Sequence, residues 1–194
     1  PGMNIVEEAL LFTCAGEVLP GIIARPAHLL AASTAVGSAN PAQAGREHPP
    51  RLADAAVTSG KESSCGVLIV VGGPQYRVGS HRQFLLLSRR LASEGYPVMR
   101  FDYRGMGDGG GTMRSFEDVS ADIGAAIDAF QHHCPSVQRI VLWGLCDAAS
   151  AALLYVEATR DRRVVGLALL NPWLRSEASL AQTHIKHYYG QRLL

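Results

Sequence analysis

The sequence predicts an α/β fold: a mostly parallel sheet with helices on both faces. Three observations carry this. Short β-branched and apolar runs at Val67–Val71, Pro97–Phe101, Ile140–Trp143 and Val164–Leu170 alternate with helical patterns. The intervening stretches are long enough for right-handed crossovers between parallel strands. Polar or glycine-rich segments follow these strands at Gly72–Gln75, Asp102–Asp108, Cys146 and Asn171. In such sheets ligands bind beyond the carboxyl ends of the strands, so the four segments converge on one expected site.

In chain order, Val6–Phe12 and Glu17–Ala24 read as an opening hairpin turned at Ala15-Gly16. Residues 27–65 then change character. They are rich in Ala, Ser, Pro and Gly, and are expected to form a disordered insertion, with a short helix at 27–35 as an alternative. After the 67–71 strand, Arg82–Ser93 has helical spacing, with Phe84, Leu85, Leu87 and Leu91 able to share a face. Phe116–His132 reads as an amphipathic helix with Val119, Ile123, Ile127 and Phe130 inward, Ser115 as N-cap and Asp118 three residues on. His132-His133 suits the negative end of that helix. Ala151–Val156 reads as a small-residue helix after the Ile140–Trp143 strand. The 194 residues are expected to form a single, partial domain, with 175–194 beginning a cap or lid helix.

Composition narrows the function. With 18 basic and 17 acidic side chains the net charge is +1, which argues against nucleic acid as a partner. No run is long and apolar enough for a membrane span, and the start does not resemble a signal peptide. Cys14, Cys65, Cys134 and Cys146 have no metal-like spacing, so no metal is expected and a reduced, cytoplasmic location is the simplest reading.

The chemistry centres on Gly144-Leu145-Cys146-Asp147-Ala148. A strand that becomes a helix across one nucleophilic residue, with small residues on both sides, fits a nucleophile elbow, normally Gly-x-Ser-x-Gly. Cys146 takes the serine position and Ala148 that of the second glycine. The helix N-terminus favours a thiolate, and the Asp147 N–H can face a developing oxyanion. The plain alternative is a cysteine that packs as a small buried hydrophobe. The Asp147 carboxylate could cap the helix, or repel a substrate carboxylate. Arg77, Arg82 and Arg104 could bind an anionic group, although Arg104 fits better as a tie within its own loop. His81 could contact substrate or cap the next helix.

These residues resemble the α/β-hydrolase fold in the Gly72–Gln75 loop, the Phe101–Asp108 run and the elbow. More narrowly, Gly-Gly-Pro-Gln-Tyr-Arg-Val-Gly-Ser-His-Arg-Gln-Phe (72–84), with Leu-Trp-Gly-Leu-Cys-Asp-Ala-Ala-Ser and Leu-Leu-Asn-Pro-Trp, resembles the exosortase A system-associated hydrolase 1 group. That group occurs in bacteria that make exopolysaccharide and sort PEP-CTERM proteins. The elbow also resembles dienelactone hydrolase in using cysteine. The resemblance implies attack of Cys146 on a small-molecule ester or thioester, a histidine base and two backbone donors, with no cofactor. Asp147 would supply one donor. Pro74 has no N–H, so Gln75, or alternatively Gly73, would supply the other.

In such enzymes acid and histidine follow the nucleophile. Only one strand follows Cys146 here, so the chain is expected to be a C-terminally truncated hydrolase that needs an acid and a histidine from downstream. If it acts alone, Asn171 could orient an imidazole from His184 or His187. A hydrolase-fold binding protein without turnover is the competing class. A truncated sheet would expose an edge and favour self-association.

Overall fold

Two strands, Ile5–Cys14 (β1) and Glu17–Pro26 (β2), open the fold in register from Ile5 opposite Pro26 to Cys14 opposite Glu17. The two connecting residues, Ala15 and Gly16, have φ of 49° and 86°. Positive φ at both places is what a tight turn matched to strand twist requires. The computed structural model describes residues 5–27, 63–73 and 75–173. Residues 28–62 of the expected insertion, and the expected cap helix, lie outside these.

Then follow Cys65–Val70 (β3), Gln83–Ser93 (α1), Val98–Phe101 (β4), Ser120–His133 (α2), Arg139–Leu145 (β5), Asp147–Thr159 (α3) and Val164–Leu170 (β6). The sheet order is β1-β2-β4-β3-β5-β6. β2 runs antiparallel to both neighbours, while β4, β3, β5 and β6 pair in parallel. The chain steps from β3 to β4 on one side, then returns to lay β5 on the other side of β3. That reversal leaves a crevice beyond the carboxyl ends of β3 and β5.

Alternation along β3 explains how both faces are filled. Val67 and Ile69, with Val71 beyond the strand, join Val98 and Phe84 of α1 in one core. The Phe84 ring meets Trp143 edge-on, with centroids 5.4 Å apart. Leu68 and Val70 point the other way, into a larger core with Met99, Phe101, Ile123, Ile127, Phe130 and Ala152. Thus α1 covers one face, and α2 and α3 the other. Each large side chain buried here contributes about 1.5–3 kcal/mol by leaving water.

Two helix boundaries differ from expectation. The 116–132 pattern is not one helix: Phe116–Asp118 forms a 3-10 turn, and Val119 (φ −114°, ψ 12°) breaks it from α2. Ser115 does cap, but it caps the turn, accepting from the Glu117 N–H at 3.3 Å. α3 begins at Asp147 rather than Ala151, because the chain enters the helix directly from Cys146.

Candidate active site

Cys146 joins β5 to α3 with φ 53° and ψ −120°, a conformation that L-residues rarely adopt. Holding it costs on the order of 1–3 kcal/mol, so the surroundings must impose it. They do so from both sides. The Cys146 N–H donates to the Leu170 carbonyl at 2.9 Å, tying the elbow to the end of β6. Its carbonyl accepts from Ala149 and Ser150, at 3.0 and 3.3 Å, as α3 starts. Close approach explains the small residues. A Cβ at Gly144 would lie 2.6 Å from the Ala148 backbone, and one at Gly72 would lie 2.6 Å from the Ala148 nitrogen and 2.7 Å from the Leu145 oxygen. The loop after β3 therefore rests directly on the elbow.

That loop is anchored to its neighbour. Buried Asp102 accepts from the Arg77 N–H at 2.6 Å and from the Asp108 N–H at 3.1 Å. The Arg77 guanidinium bridges Asp102 and Asp108. Burial opposes the charge on Arg77, but the two carboxylates outweigh it and raise its pKa. Arg104 plays a parallel part, with two side-chain bonds to buried Asp122 at 2.9 and 2.8 Å, so that the loop after β4 is fastened to α2.

Between these loops and the elbow lies a cleft of about 500 Å³. Gly73, Tyr103, Met106, Met113, Arg114, Ser115, Phe116 and Asp147 line it. The Tyr103 phenol is pushed up to about 12, by burial first and by the Asp147 and Asp122 carboxylates after that. The cleft opens at the first turn of α3, where the leading N–H groups have no carbonyl one turn back to bond.

The family described as serine aminopeptidase, S33, matches residues 63–192. The chain belongs to the serine aminopeptidase S33 family. Its fold is that of the α/β hydrolases. Solved structures similar to it include an esterase of Pyrococcus furiosus, with a TM-score of 0.66 at 16% identity, covering 97% of this chain and 58% of the esterase. A thermophilic esterase of Thermogutta terrifontis gives 0.54 at 17%, covering 93% and 51%. A cold-adapted esterase from an Arctic intertidal metagenomic library gives 0.58 at 17%, covering 87% and 62%. At such identities the likeness concerns the fold, and the chain spans about half to three-fifths of their length. No curated protein sequence matches it.

Within this S33-family fold the expected site residues divide into two groups. Cys146, Asp147, Gly73 and Asn171 come together. The Asn171 side-chain nitrogen lies 3.7 Å from the Cys146 sulfur, as its donor among the described residues. Asn171 itself has φ 49°. Gln75 is close in sequence, but its N–H donates to the Gly73 carbonyl at 2.8 Å, while Gly73 itself lines the cleft. Arg77, expected to meet substrate, is instead spent on Asp102 and Asp108. His81 and Arg82 are exposed, with φ of 51° and 63°, and neither lines the cleft. The His81 ring contacts the Ser80 hydroxyl at 2.9 Å. His184 and His187 lie outside the described residues. Asp147 does not cap α3: its Oδ1 is buried with no hydrogen-bond partner.

The sequence reading missed Tyr103, Met106, Met113, Arg114 and Phe116. They come from a glycine-rich loop and a 3-10 turn without periodicity. The one available signal was that Tyr103 and Met106 follow a strand whose end was already expected at the site.

Among the described residues, no helix is long and apolar enough to cross a membrane, no group of His, Cys, Asp or Glu could hold a metal ion, and all four cysteines are free.

Proposed function

We propose that this chain carries the nucleophilic half of an ester or thioester hydrolase, with Cys146 as nucleophile. The observation that carries the reading is the conformation of Cys146, a non-glycine residue held at φ 53° between strand and helix, with Gly72 and Gly144 cleared of side chains around it. Backbone strain of this kind persists where a side chain must be presented at an angle that ordinary structure does not give.

In the proposed reaction the Cys146 thiolate attacks the carbonyl carbon. A C–S bond forms, and the carbonyl π electrons move to oxygen. The N–H groups of Asp147 and Gly73 stabilise that oxyanion. Collapse expels the alkoxide or thiolate, which takes up a proton, and leaves an acyl-cysteine. Water then attacks the acyl carbon and gives up a proton to solvent, the C–S bond breaks, and the acid leaves with sulfur returned as thiolate. Asn171 holds the sulfur in place through its side-chain amide. The histidine and acid of the family are assigned to residues beyond those described.

The resemblance of the 72–84 run to the exosortase A-associated group supports a further part of the reading. The reaction then serves bacteria that assemble exopolysaccharide, in the cytoplasm, on a small-molecule substrate. A second reading, ligand binding without turnover, draws on the fact that among the described residues the thiol meets an amide, Asn171, and no imidazole.

Incubation with 4-nitrophenyl acetate and with a short acyl thioester tests the proposal. Peptide mass spectrometry should find the acyl group on Cys146, and Cys146→Ala should abolish both adduct and nitrophenol burst. Equal labelling of Cys14, Cys65 and Cys134, or a burst that survives Cys146→Ala, would overturn it. Stable acylation without release of acid would favour the binding reading.

A further inference from the structure

The group that the structure sets against the Cys146 sulfur is a donor. The Asn171 side-chain nitrogen lies 3.7 Å away, and its backbone φ of 49° at the end of β6 fixes where that amide stands. The leading N–H groups of α3 begin directly after the sulfur-bearing residue. An amide N–H holds negative charge on sulfur but takes up no proton. It assists the steps in which sulfur carries charge, and does nothing for the proton that water must lose as it attacks an acyl group. A thiol acceptor is partly ionised near neutral pH and brings its electron pair without that help.

Access for a second molecule follows from the same geometry. An acyl group on the sulfur has the cleft, with Met106, Met113 and Phe116 in its walls. Asn171 and Trp173 stand exposed where the chain leaves β6.

We propose that the Cys146 elbow also passes acyl groups from a thioester to a second thiol, an exchange activity distinct from hydrolysis. The inference rests on Cys146 being the nucleophile. Its thiolate attacks the donor carbonyl, a C–S bond forms, and the donor's own C–S bond breaks to release a thiolate. The acceptor thiolate then attacks the same acyl carbon. A new C–S bond forms, the bond to Cys146 breaks, and its sulfur leaves with the electron pair. The thiolate released by the donor takes up the proton that the acceptor gave, so nothing else is consumed. Both ends of the exchange are thioesters, so the reaction is close to thermoneutral and runs in either direction.

A propionyl thioester incubated at neutral pH with a second alkyl thiol tests this, with mass spectrometry following the new thioester and free propionate. Exchange per Cys146 should exceed that carried by N-acetylcysteine at the same concentration by roughly 10- to 100-fold. Acyl-Cys146 should pass to the thiol at least about tenfold more often than to water, with ping-pong kinetics. Cys146→Ala should abolish the exchange. Asn171→Asp keeps the shape and tolerates the positive φ, but replaces the donor by a group that takes up a proton and repels a thiolate. It should move the partition towards propionate, whatever happens to the absolute rates.

If Cys146 carries no propionyl group, the nucleophile reading falls and this inference with it. If Cys146 is acylated but yields only propionate, the nucleophile reading stands and the exchange is overturned. Exchange that survives Cys146→Ala, that runs no faster than through N-acetylcysteine, or whose partition is unchanged by Asn171→Asp, overturns it as well.

Discussion

Gly72 and Gly144 lack side chains because backbone atoms occupy the space where a Cβ would go. Either Gly→Ala change should force the elbow apart and destabilise the fold by about 1–3 kcal/mol in urea titrations. Gly73 makes a useful contrast. Nothing lies within 4 Å of its Cβ position, but its φ is +62°. Gly73→Ala should therefore cost about 1 kcal/mol through backbone strain alone. Equal losses at all three positions would contradict this division. Ionisation supplies a second expectation. The Tyr103 phenol and the Tyr155 phenol, the latter buried and bonded to Asp161, are both pushed up to about 12 from 10. The folded protein then keeps protons that the unfolded chain has lost, so stability is whole below pH 10 and falls between about pH 10 and 12. Unfolding free energies in that window, with Tyr103→Phe and Tyr155→Phe flattening the decline, check it.

At the scale of elements, two ion pairs, one buried and one partly exposed, fasten loops and strands that share no covalent neighbourhood. Arg100 of β4, 2% exposed, reaches Glu7 of β1 at 2.8 Å across the intervening β2. Asp122 of α2, fully buried, holds Arg104. Asp122→Ala strands a buried guanidinium and should cost about 3–5 kcal/mol. Glu7 is partly exposed and shares its charge with Arg89, so Glu7→Gln should cost less, about 1–3 kcal/mol. Denaturant midpoints rank the two, and the reverse order would refute the account. Burial opposes ionisation of Glu7, but its bonds to Arg89 and Arg100 lower its pKa below 4.5, so this stabilisation is lost as the medium is acidified.

These ties also mark how far the sequence could be read. Every described strand was legible because apolar periodicity follows directly from which face is buried, and β6 coincided with its expected span. The break at Val119 was not legible, because Phe116 and Val119 keep helical spacing with Ile123 while the backbone tightens before Ser120. Cys146 and the Gly144-to-Ala148 spacing could be read because close packing restricts residue size locally. The fate of Arg77 could not, because its partners lie 25 and 31 residues away and any exposed loop arginine has the same local sequence.

For the whole molecule, the chief feature is the edge formed by β6, which pairs only with β5 among the described strands. Val165, Leu167 and Leu170 stay exposed there. An apolar groove of about 940 Å³, lined partly by Leu153, Leu154, Leu167 and Trp173, runs alongside. A strand edge with such a flank is a template for pairing with another chain. This chain on its own is expected to self-associate at micromolar concentrations in light scattering, and Val165→Lys should reverse that. A monomer at all concentrations would count against it. The same strand also bears on the order of folding. The carbonyl that receives the Cys146 N–H belongs to Leu170, and the amide beside its sulfur belongs to Asn171. During synthesis the thiol is made some 25 residues before the groups that hold it. Until β6 docks, those restraints on the left-handed backbone at Cys146 are missing, and the residue is free to relax into ordinary helix or strand geometry. Cys146 is therefore expected to gain its strained geometry late, only once β6 has joined the sheet.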